Sequence, residues 1–133
     1  MADHATELAR GQCVIPIFLD NTVLAHRLSA KVFHRFGVIS LICGRHRALD
    51  VFDFSSYTLR LRPTSEQRLI AEELVSFSER CPETLLLLVP CSKKATELCE
   101  RFATALESRF VTVSPSDLLN TSPLYEIAVR SDG

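Results

Sequence analysis

Two segments of this chain follow one plan: a short apolar run, a polar turn that lacks glycine, then an amphipathic helical pattern. The first reads IPIFLDNTVLAHRL from Ile15, and the second reads LLLLVPCSKKATELCERF from Leu85. A near-continuous apolar run of this length is what a strand covered on both faces requires. A strand that feeds straight into a helix is half of a βα unit, whose ligand crevice lies beyond the strand's carboxyl end. A dinucleotide-binding turn at that place uses glycines, so that backbone can approach a pyrophosphate. Here Leu19, Asp20, Asn21 and Thr22 occupy the first turn instead. The plan is that of a nucleotide-binding domain, without the nucleotide fingerprint.

The rest of the chain extends this pattern. The first strand is predicted over about 13–19, with Asp20 or Asn21 capping a helix that runs to about Phe36. Its expected inward stripe is Leu24, Leu28, Val32 and Phe36, widened by Ala25 and Phe33. Gly37 follows as a left-handed terminator, and a second apolar strand runs from Val38 to Cys43. After a mixed loop over 44–56, a third strand over about 57–62 alternates Tyr57, Leu59 and Leu61 with Thr58, Arg60 and Arg62. That alternation suits a half-exposed edge. Thr64 and Gln67 behind Pro63 form a capping box for a helix to about Arg80, with Leu69, Ile70, Leu74 and Phe77 inward and Pro82 as its stop. The most hydrophobic strand, about 84–89, is expected to be central. Ser92 caps the next helix, which buries Ala95, Leu98, Phe102 and Leu106. A short strand over 110–113 and one broken or two short helices from Ser116, through Leu118, Leu119, Tyr125 and Ile127, complete the chain. The order predicts an α/β, three-layer Rossmann-like domain with a mostly parallel sheet of about five strands.

Composition narrows the function classes. At 133 residues, 47% hydrophobic and 23% charged, the chain has the length and make-up of one folded domain. The polar residues 1–11 are expected to be a flexible N-terminal segment and 12–133 the domain. They also lack the apolar centre of a signal peptide, and a net charge of −1 gives no reason to expect nucleic acid or a membrane surface as partner. The longest apolar run is too short to cross a bilayer, so a cytoplasmic location is expected. Five cysteines, Cys13, Cys43, Cys81, Cys91 and Cys99, form no Cys-x-x-Cys pair. Their aliphatic surroundings read as reduced, structural thiols rather than a disulfide or zinc framework.

Three clusters offer chemistry. Asp20, Asn21 and Thr22 border the crevice of a doubly wound sheet, where a carboxylate and an amide suit an amine, hydroxyl or amide ligand. Asp and Asn are equally good helix caps, and that role alone also accounts for them. Ser92, Lys93 and Lys94 open the second of the two helices. Cations there oppose the helix macrodipole unless an anion sits on the free amides, and in water the opposition is small. Cys91 at the same helix start invites a thiolate reading, but no histidine follows at a nucleophile-pair spacing. Arg45-His46-Arg47, after the second strand, stands where a dinucleotide fold reads the ribose; a solvated loop explains it as well. His26 and His34 are expected at the surface. The chain has no glycine-rich phosphate loop and no serine elbow, so no catalytic residue and no metal ligand is assigned.

Three stretches carry a family resemblance: IPIFLDNTVLAHRLSAKVFHRFGV, LLLLVPCSKKATELCERF and VTVSPSDLLNTSPLYEIA. Together they resemble the N-terminal, pre-ATP-grasp domain of ATP-grasp ligases, in the carboxylate–amine ligase and carbamoyl-phosphate-synthase-like group. The resemblance spans nearly the whole chain from Cys13 onward. It implies a domain that forms one wall of an active site, with Asp20, Asn21, Thr22 and Ser92 facing the acceptor-substrate cleft. It implies an ATP-grasp domain, in the same or another chain, as partner, and ATP and magnesium as ligands of that partner rather than of this domain alone. By that reading the domain is not catalytic by itself, and without its neighbour it would pair as a homodimer. The chain departs from the family at two places. Leu19 precedes Asp20 where a glycine is common, and Lys93 and Lys94 stand where acidic residues are common. Two other readings stay open: a module binding a nucleotide or phosphorylated metabolite at Ser92, Lys93 and Lys94, and a protein-interaction domain with no small ligand.

Overall fold

A computed structural model describes residues 14–20, 22–43, 56–59 and 66–120. The chain runs β1 (Val14–Leu19), α1 (Val23–Phe36), β2 (Ser40–Cys43), β3 (Ser56–Leu59), α2 (Gln67–Glu79), β4 (Leu85–Pro90), α3 (Lys93–Arg101), α4 (Ala103–Glu107), β5 (Val111–Thr112) and α5 (Pro115–Asn120). All strand pairs are parallel, in the order β3-β2-β1-β4-β5. Where about five strands are expected, the last of them short, the sheet has four strands of four to six residues and a two-residue edge, β5.

The apolar runs explain this arrangement. Strand side chains alternate between faces, so a strand buried on both sides must be apolar at every position. Ile15, Ile17, Leu19, Leu41, Cys43, Leu86 and Leu88 face one layer, formed by Ala71, Leu74 and Phe77 of α2, Ala95, Leu98 and Cys99 of α3, and Leu106 of α4. Phe18, Ile42, Leu87 and Val89 face the other, formed by Ala25, Leu28 and Val32 of α1 and Leu118 of α5. The three layers are therefore helix, sheet and helix.

Several local expectations change. Thr22, not Asp20 or Asn21, caps α1, its Oγ1 accepting the Ala25 amide at 3.1 Å. The buried stripe of α1 is Ala25, Leu28, Ser29 and Val32; Leu24 and Phe33 are 43% and 39% exposed. Leu28, Val32 and Ala25 are inward as expected, and Ser29 takes the buried place that Leu24 and Phe33 do not. In α2 the buried set is Ala71, Leu74, Phe77 and Ser78, with Leu69 and Ile70 only partly covered. The helix begins behind Glu66 without a side-chain cap, and Thr64 lies outside the described residues. The expected long helix after Ser92 breaks at Phe102, whose φ of −111° and ψ of 28° separate α3 from α4. Gly37 takes φ 70°, and its amide donates to the Phe33 carbonyl at 2.8 Å, the left-handed stop expected of it. Residues 44–55, among them Arg45, His46 and Arg47, together with Arg60, Arg62 and the chain from residue 121, lie outside the described residues.

Candidate functional site at the β1–β4 crest

β1 and β4 are neighbours in space although α1, β2, β3 and α2 separate them in sequence. The chain winds outward from β1 to β3, then crosses back to β4 and winds the other way. The reversal places a topological switch point between the carboxyl ends of β1 and β4, where ligands of open α/β sheets bind. Leu19 pairs with Cys43 on one side and Pro90 on the other. The two turns just above that row are Asp20–Thr22 and Cys91–Ser92.

Hydrogen bonds lace these turns together. The Cys91 amide donates to the Leu19 carbonyl at 3.0 Å, continuing the ladder past the last strand residue. Thr22 Oγ1 donates to the Cys91 carbonyl at 3.4 Å while it caps α1. Ser92 Oγ accepts the Ala95 amide at 3.0 Å, capping α3, and donates to the Asp20 carboxylate at 2.6 Å. Two helix N-termini are thus capped by two hydroxyls, each of which also reaches the opposite turn.

Asp20 is the described non-glycine residue with positive φ, at 85°. Aspartate tolerates this conformation better than most side chains, and it turns the chain off the sheet where a dinucleotide fold would use glycine. The consequence is electrostatic. The carboxylate sits over the N-terminus of α3, where the helix macrodipole favours negative charge. A pyrophosphate would use that same place, so Asp20 occupies it with a charge of the chain's own.

Beneath the crest lie two thiols: Cys43, expected as a packing residue, and Cys91, for which the helix start invites a thiolate reading. Burial, and then the nearby Asp20 charge, push the Cys91 thiol up to about 12. Burial, then Asp20, Cys91 and Glu73, push Cys43 further in the same direction. Cys91 Sγ also donates to the Val89 carbonyl at 3.5 Å. A thiol held in this protonated form is not an activated nucleophile. Cys43, Cys81, Cys91 and Cys99 are all buried thiols outside any disulfide, and Cys13 lies outside the described residues.

The structure brings Asp20, Thr22 and Ser92 together; Asn21 lies outside the described residues. Lys93 and Lys94 form the exposed first turn of α3, which contains no acidic residue. His34 is exposed and His26 partly so. Among the described residues no group of three or more His, Cys, Asp or Glu could hold a metal ion, and no helix is long and apolar enough to cross a membrane. The Asp20–Ser92 pairing had one signal in the sequence, since both residues stand at the first polar position or two beyond an apolar strand. Only the adjacency of β1 and β4 turns that signal into a site. No family model matches the chain, and no curated protein or solved structure matches it either.

Proposed function

We propose that this chain is the substrate-side, pre-ATP-grasp domain of an ATP-grasp-type ligase, and that its crest holds an amine-bearing acceptor substrate. The observation that carries the reading is the Asp20 carboxylate, set by a positive φ at the switch point and fixed there by Ser92. One carboxylate oxygen, Oδ2, accepts from Ser92. The carboxylate, half of it uncommitted to that bond, suits an ammonium or amide donor and repels a phosphate. ATP and magnesium belong in this reading to the ATP-grasp partner, and the crest contributes position and charge rather than chemistry. The Rossmann-type strand order and the resemblance of three stretches to the family support it further.

The test begins with the reading frame beyond the codon for Gly133, and with any ATP-grasp chain that co-purifies with this one. In the resulting complex, Asp20→Asn should raise KM for the amine about tenfold, the scale of one charge-assisted hydrogen bond, and leave KM for ATP unchanged. A frame that closes without an ATP-grasp partner, or an Asp20→Asn enzyme with unaltered amine KM, would remove the reading.

A second reading, a module for a nucleotide or phosphorylated metabolite, is favoured by the exposed Lys93 and Lys94 at an acid-free helix start. The Asp20 carboxylate weighs against it, because an incoming phosphate would have to displace or approach that charge. Phosphate binding that disappears in Lys93→Ala/Lys94→Ala would favour the second reading over the first.

A further inference from the structure

The outward face of α1 carries a pattern that the crest does not use. The helix sequence, VLAHRLSAKVFHRF, contains no aspartate or glutamate in its 14 residues. Its buried side is Ala25, Leu28, Ser29 and Val32. On the other side Val23 and Leu24 are 59% and 43% exposed, and Arg27, Lys31, His34 and Arg35 are exposed. Arg27, Lys31 and Arg35 stand four residues apart, so they line one stripe, with Val23 and Leu24 at its N-terminal end.

This spacing is unfavourable within the helix itself. Like charges four apart destabilise a helix, and Arg27 and Lys31 stand so here. Arg27 and Lys31 take part in no ion pair or hydrogen bond with the described residues. Asp117 of α5 is the acidic residue of the other described helix in that layer. Across the sheet the usual arrangement holds: Arg68 pairs with Glu72 within α2 at 3.5 Å. A chain of net charge −1 thus gathers cations on one helix face and adds two exposed aliphatics beside them.

We propose that the outer face of α1 is a docking surface for an acidic polypeptide segment, whose carboxylates pair with Arg27 and Lys31 and whose apolar anchor rests on Val23 and Leu24. Charge complementarity selects an acidic partner, and the aliphatic end selects polypeptide over nucleic acid, since a phosphate backbone has nothing to place there. A membrane fits less well: an interfacial helix dips its apolar face into lipid, and that face of α1 is occupied by the core. The surface stands apart from the amine reading of the crest and does not depend on it.

The test is fluorescence anisotropy with a labelled peptide of roughly a dozen residues, glutamate-rich with one leucine, long enough to lie along α1. Binding should fall steeply as salt is raised, because exposed charges are screened. Arg27→Glu/Lys31→Glu should weaken it by about tenfold or more, as charge reversal at an interface does, and Leu24→Ser should weaken it several-fold. Arg68→Glu, on the opposite layer, should leave it unchanged. Circular dichroism checks that the double variant folds, and the milder Arg27→Gln/Lys31→Gln variant should show the same direction. Equal affinity of the wild type and both double variants would overturn the proposal. So would anionic vesicles or a single-stranded oligonucleotide binding this face when the peptide does not.

Discussion

At the scale of single residues, Asp20 carries most of the account. Its positive φ and its bond to Ser92 make separable contributions. Asp20→Ala loses the bond and places an ordinary side chain in left-handed backbone, at a combined cost of about 2 kcal/mol. Asp20→Gly loses the same bond but accepts the backbone conformation, so urea unfolding should find it less destabilised than Asp20→Ala. Equal losses would mean that the turn contributes no strain. The buried thiols give a prediction in pH. Cys91 and Cys99 are pushed up to about 12 and about 11 from an ordinary value of 9.0, burial being the larger cause in each. The unfolded chain therefore gives up these protons at lower pH than the folded chain. Their contribution to stability is complete below pH 9 and is lost as pH rises through the folded values. The melting temperature should fall with increasing pH above 9, and less steeply in a Cys91→Ala/Cys99→Ala variant relative to its own value at pH 8. The sequence showed that these cysteines sit among aliphatics. It could not show that Cys43 and Cys91, 48 positions apart by their numbering, share the field of Asp20, because only the sheet order brings them together.

Elements were legible where one strong signal acted alone. Gly37 ends α1 as expected because few other residues adopt φ 70° without cost, and Ser92 caps α3 because its hydroxyl reaches the Ala95 amide. Where signals competed, the reading slipped. Asp20, Asn21 and Thr22 are all good caps, and the choice of Thr22 depends on the Cys91 carbonyl, which its hydroxyl also reaches. Leu24 reads as core by hydrophobicity, yet it is 43% exposed while Ala25 and the polar Ser29 are buried, which the apolar pattern alone does not encode for Ser29. The break at Phe102 had no glycine or proline to announce it. The two caps give a direct comparison. Thr22→Ala and Ser92→Ala should each cost about 1 kcal/mol of cap energy, and Ser92→Ala should cost more because its second bond is short and charge-assisted, 2.6 Å to the Asp20 carboxylate, against 3.4 Å from Thr22 to the Cys91 carbonyl. A double-mutant cycle between Asp20 and Ser92 should show a coupling of at least about 0.5 kcal/mol; no coupling would mean that the bond across the crest contributes nothing to stability.

For the whole molecule, the parallel sheet followed from apolar runs in β1, β2 and β4 that only two-sided burial explains. The order β3-β2-β1-β4-β5 did not, since runs of equal hydrophobicity do not say which strands are neighbours. Leu88, fully buried in the layer facing α2, α3 and α4, tests that packing. Leu88→Ala should lower stability by about 3 kcal/mol, the usual cost of such a cavity, as read by denaturant unfolding. The candidate site depends on the same order: with β1 and β4 apart, Asp20 and Ser92 would be two unrelated caps. The measurement closest to the central claim is an NMR titration of the nitrogen-labelled chain with glycinamide, and separately with inorganic phosphate. The account predicts that glycinamide shifts the amides of Leu19, Asp20, Thr22, Cys91 and Ser92, that Asp20→Asn abolishes those shifts, and that phosphate leaves them in place. Phosphate moving the amides of Ser92 to Ala95 while glycinamide moves none would contradict it, and would make the crest an anion site.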